Sequence, residues 1–349
     1  MKRKITILLA ILVVAFVIKT LLDAGVFKTL KPHSLLRDVS IYNQMAGTED
    51  LALDRKNGLL FISSSDRWNK IEGSESKDGI YLLDLEKGMS AKPIKLNSKI
   101  NGAFHPHGIS FLRKNEKNYL FAINHFKSED SIEVFEYKDN QLIHLKTYKN
   151  EQMCCPNDLV AVDVDKFYVT NDHGNTSKVG RVLEDYLKLP NSYVLYFDGE
   201  TYSKVVERLS YANGINISNN GEKLYVTEVS GQKITVMDRD LSTGQLSFQF
   251  AKQIDTGLDN ISIDEDDNLW IGSHPKLLAF VSHSKDASKF SPSQVLKLKL
   301  EADDFKVEEI YLNDGEQISA SSVAVKYKNE IFIGVVFESK LLRGTLDKE

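Results

Sequence analysis

A turn of Asn, Gly, Asp or Lys, followed by a short strand rich in aromatic and β-branched residues, recurs through this chain and restricts its fold more than any other feature. It reads Asn57-Gly58-Leu59-Leu60-Phe61-Ile62-Ser63, then Asn118-Tyr119-Leu120-Phe121-Ala122-Ile123-Asn124 and Lys166-Phe167-Tyr168-Val169-Thr170-Asn171-Asp172. It returns as Gly221-Glu222-Lys223-Leu224-Tyr225-Val226-Thr227, Asn268-Leu269-Trp270-Ile271-Gly272 and Asn329-Glu330-Ile331-Phe332-Ile333-Gly334. The copies are spaced by roughly 45 to 60 residues, the period expected of propeller blades built from four strands. A β-sandwich does not produce a repeat of this length. The expected fold is therefore all-β: a six-bladed β-propeller over residues 45–349, with a linker at 26–44 and an apolar segment at 1–25.

That apolar segment sets the cellular address. Met1-Lys2-Arg3-Lys4 is cationic, and Ile5 to Leu22 is apolar except at Thr6, Lys19 and Thr20. The uninterrupted part suits a signal sequence, whereas the run through Leu22, about 18 residues, suffices for a tilted anchor. Asp23-Ala24-Gly25 offers only a weak cleavage site. An uncleaved signal anchor in the membrane is expected, basic end in the cytoplasm and body outside; cleavage would make the body secreted. The formal net charge of -5 gives no electrostatic footprint for nucleic acid.

The strand ends carry the chemistry. Asp259-Asn260 sits at the mouth of an alternating run, and comparable groups recur as Glu49-Asp50, Asn171-Asp172 and Ala212-Asn213-Gly214-Ile215-Asn216. Singly these are ordinary turn residues. Gathered where the strands of a propeller meet its central channel, they make a set of oxygen donors for a hard cation. His107 and His125 add imidazoles suited to proton transfer near neutrality. Cys154 and Cys155 are adjacent, which disfavours a disulfide, and lack spaced partners for zinc; they read as semi-buried thiols before Pro156. Asp264-Glu265-Asp266-Asp267-Asn268 lacks the glycine and closing Glu of a calcium loop and reads as a hairpin turn.

At this point the chain resembles the serum paraoxonase/arylesterase family, calcium-dependent six-bladed propellers that hydrolyse lactones and aryl esters. The matching stretches are Gly47-Thr48-Glu49-Asp50-Leu51, Pro106-His107-Gly108-Ile109-Ser110, Asn157-Asp158-Leu159-Val160-Ala161-Val162 and Thr170-Asn171-Asp172-His173. They continue, in the family's order, with Ala212-Asn213-Gly214-Ile215-Asn216-Ile217-Ser218, Asp259-Asn260-Ile261-Ser262 and Trp270-Ile271-Gly272-Ser273-His274-Pro275.

The resemblance implies two calcium ions: a catalytic one on Glu49, Asn171, Asn213, Asp259 and Asn260, and a structural one on Asp50, Asp172 and the carbonyl near Ile109. It further implies His107 as the general base, His125 as its dyad partner and His274 in the substrate pocket, with a small ester or lactone as substrate. The family's terminal disulfide is missing, so ring closure should rest on pairing of Val39-Ser40-Ile41 with Val335-Val336-Phe337. Ser273 replaces the family's pocket cysteine, and the stretch from Trp68 to Asp78 suggests a different entrance loop. Two other readings of the residues are a catalytically silent propeller that binds a ligand or partner protein and a propeller of the sugar-lactonase or strictosidine-synthase type.

Overall fold

The computed structural model of the chain describes residues 2–69, 76–98, 100, 102–126 and 129–347. Each recurring motif forms a strand: Leu59–Ser64, Lys117–Asn124, Lys166–Asn171, Lys223–Glu228, Leu269–His274 and Glu330–Val335. These strands are paired and covered on both faces, which explains why they read as near-continuous apolar runs rather than alternating ones.

Each motif strand is hairpinned to a more central partner. These partners are β1 (Asp50–Asp54), β2 (Pro106–Lys114), β3 (Pro156–Asp163), β4 (Ala212–Ile217), β5 (Gly257–Ile263) and β6 (Ser321–Tyr327). Each packs on the next, and β6 returns to β1. Among the described residues, these ring strands belong to four antiparallel sheets of four strands and one nine-stranded sheet, joined where Ile271 meets Val323. The architecture is an all-β, propeller-like fold.

The core lies between successive sheets. Phe121, Leu159, Phe167 and Leu195 belong to one such layer, and Tyr168, Val194, Leu224 and Val226 to the next. Closure differs from the sequence expectation. Arg37–Tyr42 pairs with Leu341–Thr345, placing Ser40 opposite Arg343 and Ile41 opposite Leu342. Val335 is already paired to Ser321, so the free edge that accepts the N-terminal strand is the later one.

Helix α1 (Lys2–Asp23) has a mean hydropathy of 2.8 over its most apolar window and no buried residue. Its end is seated on the body: Gln232 Nε2 donates to Asp23 O at 2.9 Å, and Leu277 N to Ala24 O at 3.0 Å. Helices α2 (Lys178–Leu187) and α3 (Leu277–Lys285) lie on the same end of the ring. Of the entrance stretch from Trp68 to Asp78, residues 70–75 lie outside the described residues.

Candidate active site

The central strands carry their polar residues at their first turns, and there the ladder breaks register. Bulges fall between Pro106 and Ile109, Pro156 and Leu159, Ala212 and Ile215, Leu258 and Ile261, and Ser321 and Val323. A bulge re-aims a side chain that regular pleating would turn into a sheet. Glycines let the strands approach: a Cβ on Gly108 would lie 2.6 Å from Asp158 Cα, and one on Gly214 2.6 Å from Asp259 O.

The residues so displayed are Asn157 on β3, Asn213 on β4, and Asp259 and Asn260 on β5; Glu49 stands just before β1, whose ladder is regular, and all five are buried. Asn260 Nδ2 donates to Glu49 Oε1 at 2.8 Å. Glu49 Oε2, Asn157 Oδ1, Asn213 Oδ1, Asp259 Oδ1 and Asn260 Oδ1 have no hydrogen-bond partner among the described residues. Leaving one buried polar atom unsatisfied costs about 1–3 kcal/mol, so five such oxygens ask for a common explanation.

Asp50 and Asp158 line a cavity with Ile109 and Ile215; Asp50 Oδ2 accepts from Ile109 N at 2.6 Å, and Asp158 Oδ2 accepts from Ile215 N at 2.9 Å. Burial, reinforced by Asp259 and Asp50 and opposed by Arg67, pushes Glu49 up to about 8. Burial pushes Asp50 up to about 7 against hydrogen bonds from the Ile109 and Leu51 amides. Burial and the Asp50 charge hold Asp158 well above the carboxylate range. Carboxylates crowded and dry in this way, beside the unpartnered Glu49 Oε2 and Asp259 Oδ1, have the chemistry that a hard cation requires.

Asn171 and Asp172 sit elsewhere. They close the strand behind β3, where Pro156 faces Asn171. Asn171 is fully buried, but its Oδ1 accepts from Cys155 N at 3.3 Å. Asp172 Oδ1 holds His173 Nδ1 at 2.7 Å. The Asn157-Asp158 pair was visible as a motif, but only the bulge at the start of β3 turns it toward the channel.

His107 lies at the rim of the oxygen cluster. Its Nε2 is 3.6 Å from Glu49 Oε1, and its ring is edge-on to His125 with centroids 4.7 Å apart. His125 Nδ1 is held by Asp130 Oδ1 at 2.9 Å. Arg67, which sequence reasoning missed, donates to His107 Nδ1 at 2.9 Å and lies 3.8 Å from Glu49 Oε2. Burial, then the Arg67 charge and His125, hold the His107 imidazole well below its ordinary value. Arg67 stands in a polar loop with no motif of its own, so no pattern flagged it.

His274 Nε2 hydrogen-bonds Asp259 Oδ2 at 2.7 Å, and its ring lies 4.2 Å from that of Phe280. It lines a cavity of ≈ 320 Å³ that Asn213, Asp259, Tyr211, Tyr186 and Phe280 also border. His105 is bound to Asp78, so it takes no place in the cluster.

The arylesterase family profile matches residues 41–343. The chain is 34% identical to serum paraoxonase/arylesterase 2 of Gallus gallus over 304 residues, covering 84% of this chain and 85% of that protein. It is likewise 34% identical to serum paraoxonase/arylesterase 1 of Homo sapiens over 308 residues, with coverage of 84% and 85%. The chain belongs to the arylesterase family. Solved structures share the fold of this arylesterase-family chain at low identity. A gluconolactonase of Xanthomonas campestris superimposes with a TM-score of 0.56 at 16% identity, covering 91% of this chain and 95% of that one. Regucalcin of Agrobacterium tumefaciens, a calcium-binding protein, gives 0.51 at 11% identity with coverage of 90% and 94%.

Proposed function

We propose that this arylesterase-family enzyme is a calcium-dependent hydrolase of lactones and aryl esters, built as six blades around the β1–β6 ring. The observation that carries this reading is the set of five buried, unpartnered oxygens at the inner strand ends. Glu49, Asn157, Asn213, Asp259 and Asn260 would hold one calcium. Asp50, Asp158 and the Ile109 carbonyl would hold a second. Asn157 and Asp158 replace Asn171 and Asp172 because the latter pair stands one strand further out and is engaged by Cys155 and His173.

Bound calcium supplies a Lewis acid for the substrate carbonyl and charge stabilisation for its oxygen. His107 accepts the proton of the attacking water, with His125 as its edge-on partner and Asp130 fixing the His125 ring. In the resting arrangement Arg67 covers His107 Nδ1, so the guanidinium has to move off before that nitrogen can take a proton. His274, tied to Asp259, forms one wall of the substrate cavity. Helix α1 anchors the enzyme in a membrane with its body on the extracytoplasmic side.

The test is hydrolysis of phenyl acetate and an aliphatic lactone by purified enzyme. Activity should vanish in EDTA and return with calcium but not with zinc. Undiminished turnover in a metal-free preparation would refute the mechanism.

A further inference from the structure

We propose that Cys154, Cys155, Asp172 and His173 form a separate metal site, outside the axial oxygen cluster, for a thiolate-preferring divalent ion of the zinc class. One ligand atom each from Cys155, Asp172 and His173 lie within 4.8 Å of one another, and Cys154 Sγ is 2.8 Å from Cys155 Sγ. Adjacent cysteines offered no zinc spacing in the sequence. The fold supplies the missing partners by bringing the Asn171–His173 strand end against the loop before β3.

The frame around these atoms is fixed from both sides. Asp172 N donates to Cys155 O at 3.0 Å, and Cys155 N to Asn171 Oδ1 at 3.3 Å, locking the two chain segments together. The Cys154 thiol also meets the His173 carbonyl at 3.1 Å. Asp185, from α2, holds His173 Nε2 at 3.1 Å, while Nδ1 is bonded to Asp172 Oδ1 at 2.7 Å, a bond that an ion set between the two would replace. A carboxylate on the far nitrogen of an imidazole is the arrangement that orients metal-ligating histidines. His173 itself is buried.

Donor chemistry selects the ion. Two sulfurs, an imidazole and one carboxylate suit zinc or a related transition ion, whereas the axial set is all oxygen and suits calcium. Tetrahedral bonds of about 2.0–2.3 Å place ligand atoms roughly 3.3–3.8 Å apart. To bind an ion, the Cys155, Asp172 and His173 ligand atoms, now within 4.8 Å of one another, have to draw together by about 1 Å, and the Cys154 sulfur, now 2.8 Å from that of Cys155, has to swing away by a similar amount. An ion here would strap the loop before β3 to the Asp172–His173 strand end, which Asp185 ties to α2, and Asp185 and Tyr186 of α2 border the substrate cavity.

The experiment uses reduced, calcium-saturated full-length protein in detergent, titrated with cobalt(II) as a spectroscopic substitute. The expected result is a thiolate-to-cobalt charge-transfer band with the visible bands of a tetrahedral ion, bleached by zinc and indifferent to added calcium. The Cys154→Ser/Cys155→Ser double variant should lose the charge-transfer band while keeping its calcium-dependent melting temperature. Asp185→Asn, which leaves every ligand in place, should keep the band but weaken affinity roughly 10–100-fold. Absence of the band in reduced wild-type protein overturns the proposal. So does a band that survives the double variant, or a Cys154–Cys155 disulfide that reductant opens without restoring metal uptake.

Discussion

Asn260 Nδ2 donates at once to the backbone carbonyl of Glu49 at 3.1 Å and to its Oε1 at 2.8 Å, fastening β5 to the entry of β1 across the ring. That contact leaves Asn260 Oδ1 and Glu49 Oε2 without partners. The amide orients the carboxylate but does not neutralise it.

Metal-free stability should therefore depend on pH in an unusual sense. Glu49 rises to about 8 and Asp50 to about 7 in the folded state, above their ordinary carboxylate values. A raised folded pKa stabilises below the unfolded value, and that contribution is lost as pH climbs through the folded one. In chelator, the melting temperature should fall steadily between about pH 5 and 8. Excess calcium should raise it by several degrees and flatten the slope, because a bound dication replaces the protons. Thermal melts across this range, with and without calcium, measure it; a pH-independent metal-free melt contradicts it.

Asp158→Asn and Asp172→Asn separate the two candidate positions for the second ion. Asp158 stands within electrostatic reach of Asp50 and Glu49, whereas Asp172 is committed to His173. Removing the Asp158 charge should weaken calcium binding by at least about tenfold, the scale of a lost ligand charge. Asp172→Asn should leave calcium titrations unchanged. Calorimetry on both variants decides between them.

Arg67→Met tests how the guanidinium tunes His107. After burial, the Arg67 charge is the main reason that the imidazole stays low. Its removal should raise that pKa, so the acidic limb of the kcat/KM profile should move to higher pH. His107→Gln should lower kcat by about 10²–10⁴-fold if the ring is the base. A profile unmoved by Arg67→Met places the titrating group elsewhere.

Much of this arrangement was legible because it is periodic. The buried second strands of the sheets betrayed themselves as apolar runs, and Glu49, Asn213 and the Asp259-Asn260 pair stood at strand mouths. Asn157 and Asn171 could not be told apart by pattern, since both precede Asp near a strand end. A register break in the ladder, which leaves no trace in composition, decides which faces the channel. Arg67 was invisible for another reason: its role comes from contacts with Gly47, Val336 and His107, distant in sequence. The closing strand was misplaced by several residues because the pairing partner depends on which edge is left free after Val335 pairs with Ser321.

Two truncations separate the anchoring and shaping roles of the N-terminus. The body of α1 is exposed along its length, but its last turn is seated: Lys188 pairs with Asp23 at 3.2 Å, and Thr20 and Ala24 border the substrate cavity. Deleting residues 2–18 removes the apolar surface and keeps that seat. The product should partition into the aqueous phase in a detergent-separation assay, with calcium binding and kcat/KM for a soluble ester unchanged. Deleting residues 2–25 also removes one wall of the cavity and the bonds to Gln232 and Leu277. KM should then rise while kcat stays nearly constant, because lost uniform binding appears in KM alone. Equal kinetics for the two truncations would mean that the helix end only tethers the enzyme and does not shape its pocket.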